Sequence, residues 1–153
     1  MKRYSIFAAF AALLVAAALP AGASSLRALA DDRFQPALAP LADAFEQQTG
    51  VSVEWTFASS DALLDRLLAD GSADLFFSAS PETIHEAVSR GIADPALRRH
   101  VLVIPSPDGT DPAYASAIAL SSATNRLSVM LLLDFLVSPA ARDAFSAAGF
   151  SLP

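Results

Sequence analysis

The sequence predicts an α/β fold: a parallel-rich sheet of about five strands flanked by helices. Three observations carry this expectation. Apolar residues switch between the period of a strand and that of a helix three times in succession before residue 105. The helical stretches have recognisable bounds, hydroxyls before them and glycines after. Successive strand–helix–strand units form parallel sheets through right-handed crossovers, with helices on the sheet faces.

Ahead of the first unit stands a segment of a different kind. Lys2 and Arg3 precede an apolar run over residues 6–19, closed by Pro20 and by Ala21-Gly22-Ala23. A charged start, a short apolar stretch and a small-x-small site mark a cleaved secretory signal. The run of 14 residues rises about 21 Å as a helix, short of the roughly 30 Å hydrocarbon core. Residues 1–23 are therefore expected to be a signal peptide. Residues 24–153 should form one α/β domain with no membrane span.

The first strand is Leu26-Arg27-Ala28-Leu29-Ala30. A helix over about 34–48 follows, with Leu38, Leu41, Ala42 and Phe45 at i, i+3, i+4 and i+7, and Gly50 ends it. Val51-Ser52-Val53-Glu54-Trp55-Thr56-Phe57 alternates as a half-buried strand does, and Trp55 is read as a strand residue with one face in the core. Ser59 and Ser60 open a second helix to about residue 69, its stripe made of Leu63, Leu64, Leu67 and Leu68. Gly71 stops it. Asp74-Leu75-Phe76-Phe77 is a short buried strand.

Ser80-Pro81-Glu82 starts a third helix that ends at Gly91. It combines a hydroxyl cap, a proline in the first turn and an acid at the positive end of the dipole. The fourth strand is placed at 101–104, and a turn rich in proline, glycine and aspartate fills 105–113. Tyr114-Ala115-Ser116-Ala117-Ile118-Ala119-Leu120 is the fifth. Helices over about 125–137 and 139–147 close the chain. The first of these carries Leu127, Met130, Leu131, Leu132, Leu133 and Leu136 and is expected to be buried on more than one side.

Composition narrows the function. Without Lys2 and Arg3, the 10 basic residues fall to eight, all arginine, against 16 acidic ones. A nucleic-acid partner is excluded on that balance, since little could neutralise phosphates in number. The chain has no cysteine, which removes disulfides, thiolate ligands, cysteine nucleophiles and the lipid-bearing cysteine of a tethered export product. A periplasmic location follows from the leader and the missing tether. His85 and His100 are the only histidines, both placed in helix or loop context, and no catalytic constellation is assembled from them.

Four segments, in order, resemble the periplasmic molybdate-binding proteins. These are Leu41-Ala42-Asp43-Ala44-Phe45-Glu46-Gln47-Gln48-Thr49-Gly50-Val51, Phe57-Ala58-Ser59-Ser60-Asp61-Ala62-Leu63, Ala73-Asp74-Leu75-Phe76-Phe77-Ser78-Ala79, and Leu133-Asp134-Phe135-Leu136-Val137-Ser138-Pro139 with Gly149-Phe150. The resemblance implies one lobe of a type II periplasmic binding protein, the substrate-binding component of an ABC transporter, with a transporter permease as partner. Members of that family clamp their ligand between two lobes; here the turn at 105–113 stands where the second lobe should be. The implied cargo is a small oxyanion, molybdate or tungstate, bound as ligand without any further cofactor.

The same resemblance points to the site residues. The family holds its oxyanion with serine hydroxyls and backbone N–H groups at helix starts, where unpaired donors and the helix dipole attract an anion. Ser59 or Ser60 stands where a family ligand serine stands; ordinary N-capping explains both equally well. Arg33 replaces the serine of the first loop and offers a planar fork for an oxyanion. Asp61 replaces a glycine after the two serines and competes with an anion for the same donors. Asp31, Asp32 and Asp61 also admit a cation site of oxygen ligands, such as one for calcium. Two readings stay open: an oxyanion-binding lobe, and a shortened relative without ion capture that uses its bared surface, the last two helices included, for a protein partner or for homodimerisation.

Overall fold

The computed structural model describes residues 24–153; the expected signal peptide at 1–23 lies outside them. Among the described residues five strands and five helices follow one another in the predicted order, alternating as far as the fourth strand. The strands are β1 (Ser25–Asp31), β2 (Ser52–Ala58), β3 (Leu75–Ser78), β4 (Ala93–Ile104) and β5 (Ala113–Leu120). The helices are α1 (Gln35–Thr49), α2 (Ser60–Ala69), α3 (Pro81–Ser89), α4 (Arg126–Leu136) and α5 (Pro139–Ala147). A single 3-10 turn, Asp32–Phe34, sits between β1 and α1.

The sheet order is β2-β1-β3-β5-β4. β1 runs parallel to β2, from Ser25 against Ser52 to Asp31 against Ala58, and parallel to β3 on its other side. β5 is antiparallel to both β3 and β4. Four strands therefore point one way, and β5 is inserted against them. The third crossover, through α3, skips one place and leaves that place for β5. The two final strands form a hairpin, Ile104 facing Ala113.

β4 begins eight residues earlier than the sequence pattern predicts. Pro95 has no N–H to give a ladder, and the apolar run starts only at Val101. The strand accommodates this as a sheet edge, with irregularities in register between Ala93 and Arg98 and between His100 and Leu102. His100 thus lies in a strand, where helix or loop was expected.

Two cores flank the sheet. On one face Ala28, Ala30, Leu75, Phe77, Ala117 and Ala119 meet α1, α4 and α5, which bring Leu38, Phe45, Leu133 and Phe145. Alternate residues of the same strands, Leu29, Phe76, Ile118 and Leu120, face α2 and α3 with Leu63, Leu67 and Ile84. This is the period-two alternation of a sheet covered on both sides. Trp55 packs partly buried beside Phe57, as read from the strand pattern, and its Nε1 is enclosed without a hydrogen-bond partner among the described residues.

α4 departs from expectation. Val129, Leu132, Leu133 and Leu136 are buried, but Leu127, Met130 and Leu131 are exposed. These three recur at i, i+3 and i+4, so the helix buries one face and leaves an apolar stripe on the other. No helix among the described residues is long and apolar enough to cross a membrane.

Candidate functional site

β1, β2 and β3 end side by side, because their parallel register brings Asp31 opposite Ala58 and Ala30 opposite Phe77. Each strand passes directly into a helical start: the 3-10 turn after Asp31, α2 after Ser59 and α3 after Ser80. The first-turn N–H groups of all three gather at one end of the sheet and give it a positive partial charge. Ligands of parallel sheets sit at this end.

A cavity of about 170 Å³ lies there. Arg33, Ser59, Ser60 and Asp61, the residues that the resemblance points to for an oxyanion, all line it, together with Asp31, Ala79 and Ser80. They arrive from three chain segments, so only the fold brings them together.

Asp31 governs the interior of the cavity. It is 2% exposed and accepts four hydrogen bonds. Its Oδ2 takes the Ser60 hydroxyl at 2.6 Å and the Ser60 backbone N–H at 3.1 Å. Its Oδ1 takes Arg33 Nε at 2.8 Å and the Arg33 backbone N–H at 3.2 Å. Burial alone would raise its carboxyl, but the Ser60 hydroxyl and then the Arg33 amide and guanidinium outweigh it and hold the group below the ordinary carboxylate value. Asp31 is an ionised carboxylate seated on the N-terminus of α2.

The two serines divide their roles. Ser59 is the N-cap of α2, its hydroxyl accepting from Ala62 N at 3.3 Å. Ser60 is buried, donates its proton to Asp31 and accepts from Ala79 N at 3.1 Å. That hydroxyl ties the ends of β1 and β3 to the start of α2 and has no proton left for a ligand. Arg33 differs again. Its side chain is half exposed, and among the described residues its two terminal nitrogens form no hydrogen bond, so its fork opens toward solvent beyond Asp31. Asp61 lies exposed on the first turn of α2.

The alternative cation site of Asp31, Asp32 and Asp61 is not formed among the described residues. Among the described residues no group of three histidine, aspartate or glutamate side chains is placed to hold a metal ion. Asp31 is turned inward onto Ser60 and Arg33, while Asp32 and Asp61 face solvent.

The β3–α3 turn contributes residues that sequence reasoning took only as a helix start. The Ser78 hydroxyl lies 2.6 Å from Thr83 Oγ1 and accepts Ser80 N at 2.9 Å. Ser80 caps α3 through Thr83 N and gives its proton to Glu82 at 2.8 Å. The Glu82 backbone N–H, and then the Ser80 hydroxyl, hold the Glu82 carboxyl below its ordinary value. The signal was present: Ser78-Ala79-Ser80-Pro81 at the end of β3 repeats the strand-then-serine pattern of Ala58-Ser59-Ser60 at the end of β2.

Two other depressions lie on α3. The larger, about 450 Å³, is lined by Pro81, Glu82, His85, Glu86 and Ser89, all from one helix, and is an open helix flank. The other, about 260 Å³, lies between α3 and the β4–β5 hairpin and includes Arg98, His100, Tyr114 and Ser116. His100 Nδ1 is 3.0 Å from Ser116 Oγ. Burial, then the nearby Arg98 charge, hold the imidazole below its ordinary value. Among the described residues no carboxylate orients that ring.

The family model for bacterial extracellular solute-binding proteins matches residues 26–106, the span that contains β1 through β4 and the whole β1–β3 mouth. The chain belongs to this family. No curated protein matches it. Among solved structures, this solute-binding protein is similar to a substrate-binding domain ascribed to a molybdenum ABC transporter of Clostridium difficile. That match has a TM-score of 0.77 and 8% identity, over 85% of this chain and 99% of the other. The periplasmic molybdate-binding protein of Azotobacter vinelandii matches at TM-score 0.74 and 14% identity, over 84% and 99%. Iron-bound HitA of Pseudomonas aeruginosa matches at 0.69 and 9%, over 81% and 84%. At such identities the likeness establishes the fold, that of periplasmic binding-protein lobes, and these neighbours carry different solutes.

Proposed function

We propose that this solute-binding protein is an exported single lobe, residues 24–153, that takes a small oxyanion of the molybdate or tungstate type at the β1–β3 mouth and presents it to an ABC-type permease. The observation that carries the reading is the convergence of Arg33, Ser59, Ser60 and Asp61 on one cavity at the carboxyl ends of three parallel strands. A cavity of about 170 Å³ is below the roughly 300 Å³ at which organic-ligand pockets begin, so it suits an ion. The open Arg33 fork supplies the charge and the Ser59 hydroxyl a donor, while Ser60 and Asp31 form the floor. With the 105–113 turn in place of a second lobe, one side of the ligand stays in water, and binding is expected to be weak.

Thermal unfolding with molybdate, tungstate and sulfate tests this directly. A ligand at about a hundred times its dissociation constant adds roughly 2.7 kcal/mol and raises the midpoint. The expected result is a rise with at least one oxyanion that Arg33→Ala abolishes. A cooperative melt that no oxyanion moves would remove the reading. The exposed Leu127, Met130 and Leu131 of α4 favour a second reading in that event, a homodimerising relative without ion capture, and sedimentation of the same sample as a dimer is its mark.

A further inference from the structure

The N-terminus of α2 is already answered by an anion, and that anion belongs to the chain. Asp31 Oδ2 sits on the Ser60 backbone N–H and hydroxyl together, the kind of donor pair a bound oxyanion would use. The opposite oxygen is held by Arg33 N and Nε. The carboxylate is buried, all four contacts lie between 2.6 and 3.2 Å, and Ser60 is fixed from its other side by Ala79 N. Nothing about the arrangement is loose.

We infer that Asp31 is a specificity-determining residue: an internal anion that holds the α2 seat, confines any solute to the outer ledge of Arg33 and Ser59, and sets anion affinity low. This deepens the proposed function and rests on solute entry at this mouth. The physical basis is direct. A solute anion entering the seat would displace the two hydrogen bonds from Ser60 to Asp31 and lie within a few ångströms of a like charge in a poorly hydrated site, where repulsion is much stronger than in water. The Arg33 Nε is likewise spent on Asp31, so the outer ledge faces an arginine whose charge is partly neutralised. Asp61 and Glu82, at the starts of α2 and α3, add negative charge around the same mouth.

Removing the buried Asp31 carboxylate, although all four of its hydrogen bonds are lost or weakened, should improve anion binding. Asp31→Asn keeps the shape and an acceptor for Ser60 while deleting the charge. Asp31→Ser deletes the charge and opens room. Asp31→Glu retains the charge and serves as the control. Calorimetric titration of protein expressed from the full chain, with molybdate, tungstate and sulfate, should show affinity rising on the order of tenfold or more in the first two variants and not in the third. Cooperatively folded Asn and Ser variants that bind none of the three anions more tightly than wild type would overturn the inference.

A measurement on the wild type stands independently of whether the variants fold. Titration with the same anions should leave the Ser60 amide and Asp31 carboxyl resonances in place. Their displacement at saturation would show that a solute enters the seat, and the inference would fail. A wild type that binds no oxyanion, alongside variants that do, would sink the proposed oxyanion function and the outer ledge with it, while still showing that the Asp31 charge keeps anions out of the seat.

Discussion

The two faces of the sheet are built differently, and the difference separates stability from recognition. The face under α1, α4 and α5 is aromatic. Phe34 stacks on Phe77 with ring centroids 4.4 Å apart, Phe145 meets Phe77 edge-on at 6.1 Å, and Phe150 closes on both Phe34 and Phe145. The face under α2 and α3 is mainly leucine, with Phe76 its one buried aromatic among the described residues. Yet α2 and α3 carry the helix starts that form the mouth. Burying large rings on one side leaves the other free to spend polar groups at the strand ends, where Asp31 and Ser60 are buried in place of apolar contacts.

Phe76 and Phe77 are the sharpest test of that contrast, since they are neighbours in sequence, both fully buried, and point to opposite faces. Replacing either by alanine is expected to cost about 3–5 kcal/mol. Phe77→Ala should exceed Phe76→Ala by about 1–3 kcal/mol, because Phe77 also loses its two ring pairs. Denaturant unfolding of both variants measures it. Equal costs would mean that the aromatic network adds nothing beyond area.

A smaller effect belongs to the mouth. The Asp31 carboxyl is held below its ordinary value in the folded chain, so its ionised form binds the fold more tightly than its protonated form does. The stability it contributes is complete above the unfolded value of about 3.9 and is lost as pH falls through the lower folded value. Asp31→Asn is expected to cost about 2 kcal/mol at neutral pH. The gap between wild type and variant should stay level down to about pH 4 and narrow below it. A gap that narrows between pH 7 and 5 would assign the stabilisation to another group.

Much of this architecture was legible in the sequence, for physical reasons that also mark where legibility stops. Periods of two and 3.6 placed the strands and helices, and Ser80-Pro81-Glu82 fixed the start of α3, because those signals are local. The start of β4 was not legible, since the pairing of residues 93–100 depends on β5, a neighbour later in the chain. The outer stripe of α4 could not be told from the inner one, because Leu127 and Leu133 differ only in what lies opposite. At the site, Arg33, Ser59, Ser60 and Asp61 could be picked out by resemblance. Their convergence and the seating of Asp31 on Ser60 are contacts across 29 residues, which no local pattern encodes. In the sequence Asp31 offers no more than an alternative cation ligand, because an aspartate beside Asp32 gives no local sign that the fold turns it inward onto Ser60.

The smallest expected effect separates stability from recognition most cleanly. Ser59 caps α2 on the mouth side, and Ser138 caps α5 on the aromatic side, each accepting one N–H, from Ala62 and from Ala141. Both hydrogen bonds are long, 3.3 and 3.4 Å, so Ser59→Ala and Ser138→Ala should each cost about 1 kcal/mol or slightly less. Equal losses in melting midpoint are therefore expected. Only Ser59→Ala should also diminish the oxyanion-dependent rise in that midpoint, because only Ser59 has both a cap to make and a cavity to line. An oxyanion response that survives Ser59→Ala unchanged would reduce the serine to its capping role and leave Arg33 as the one side chain at the outer ledge with a ligand to hold.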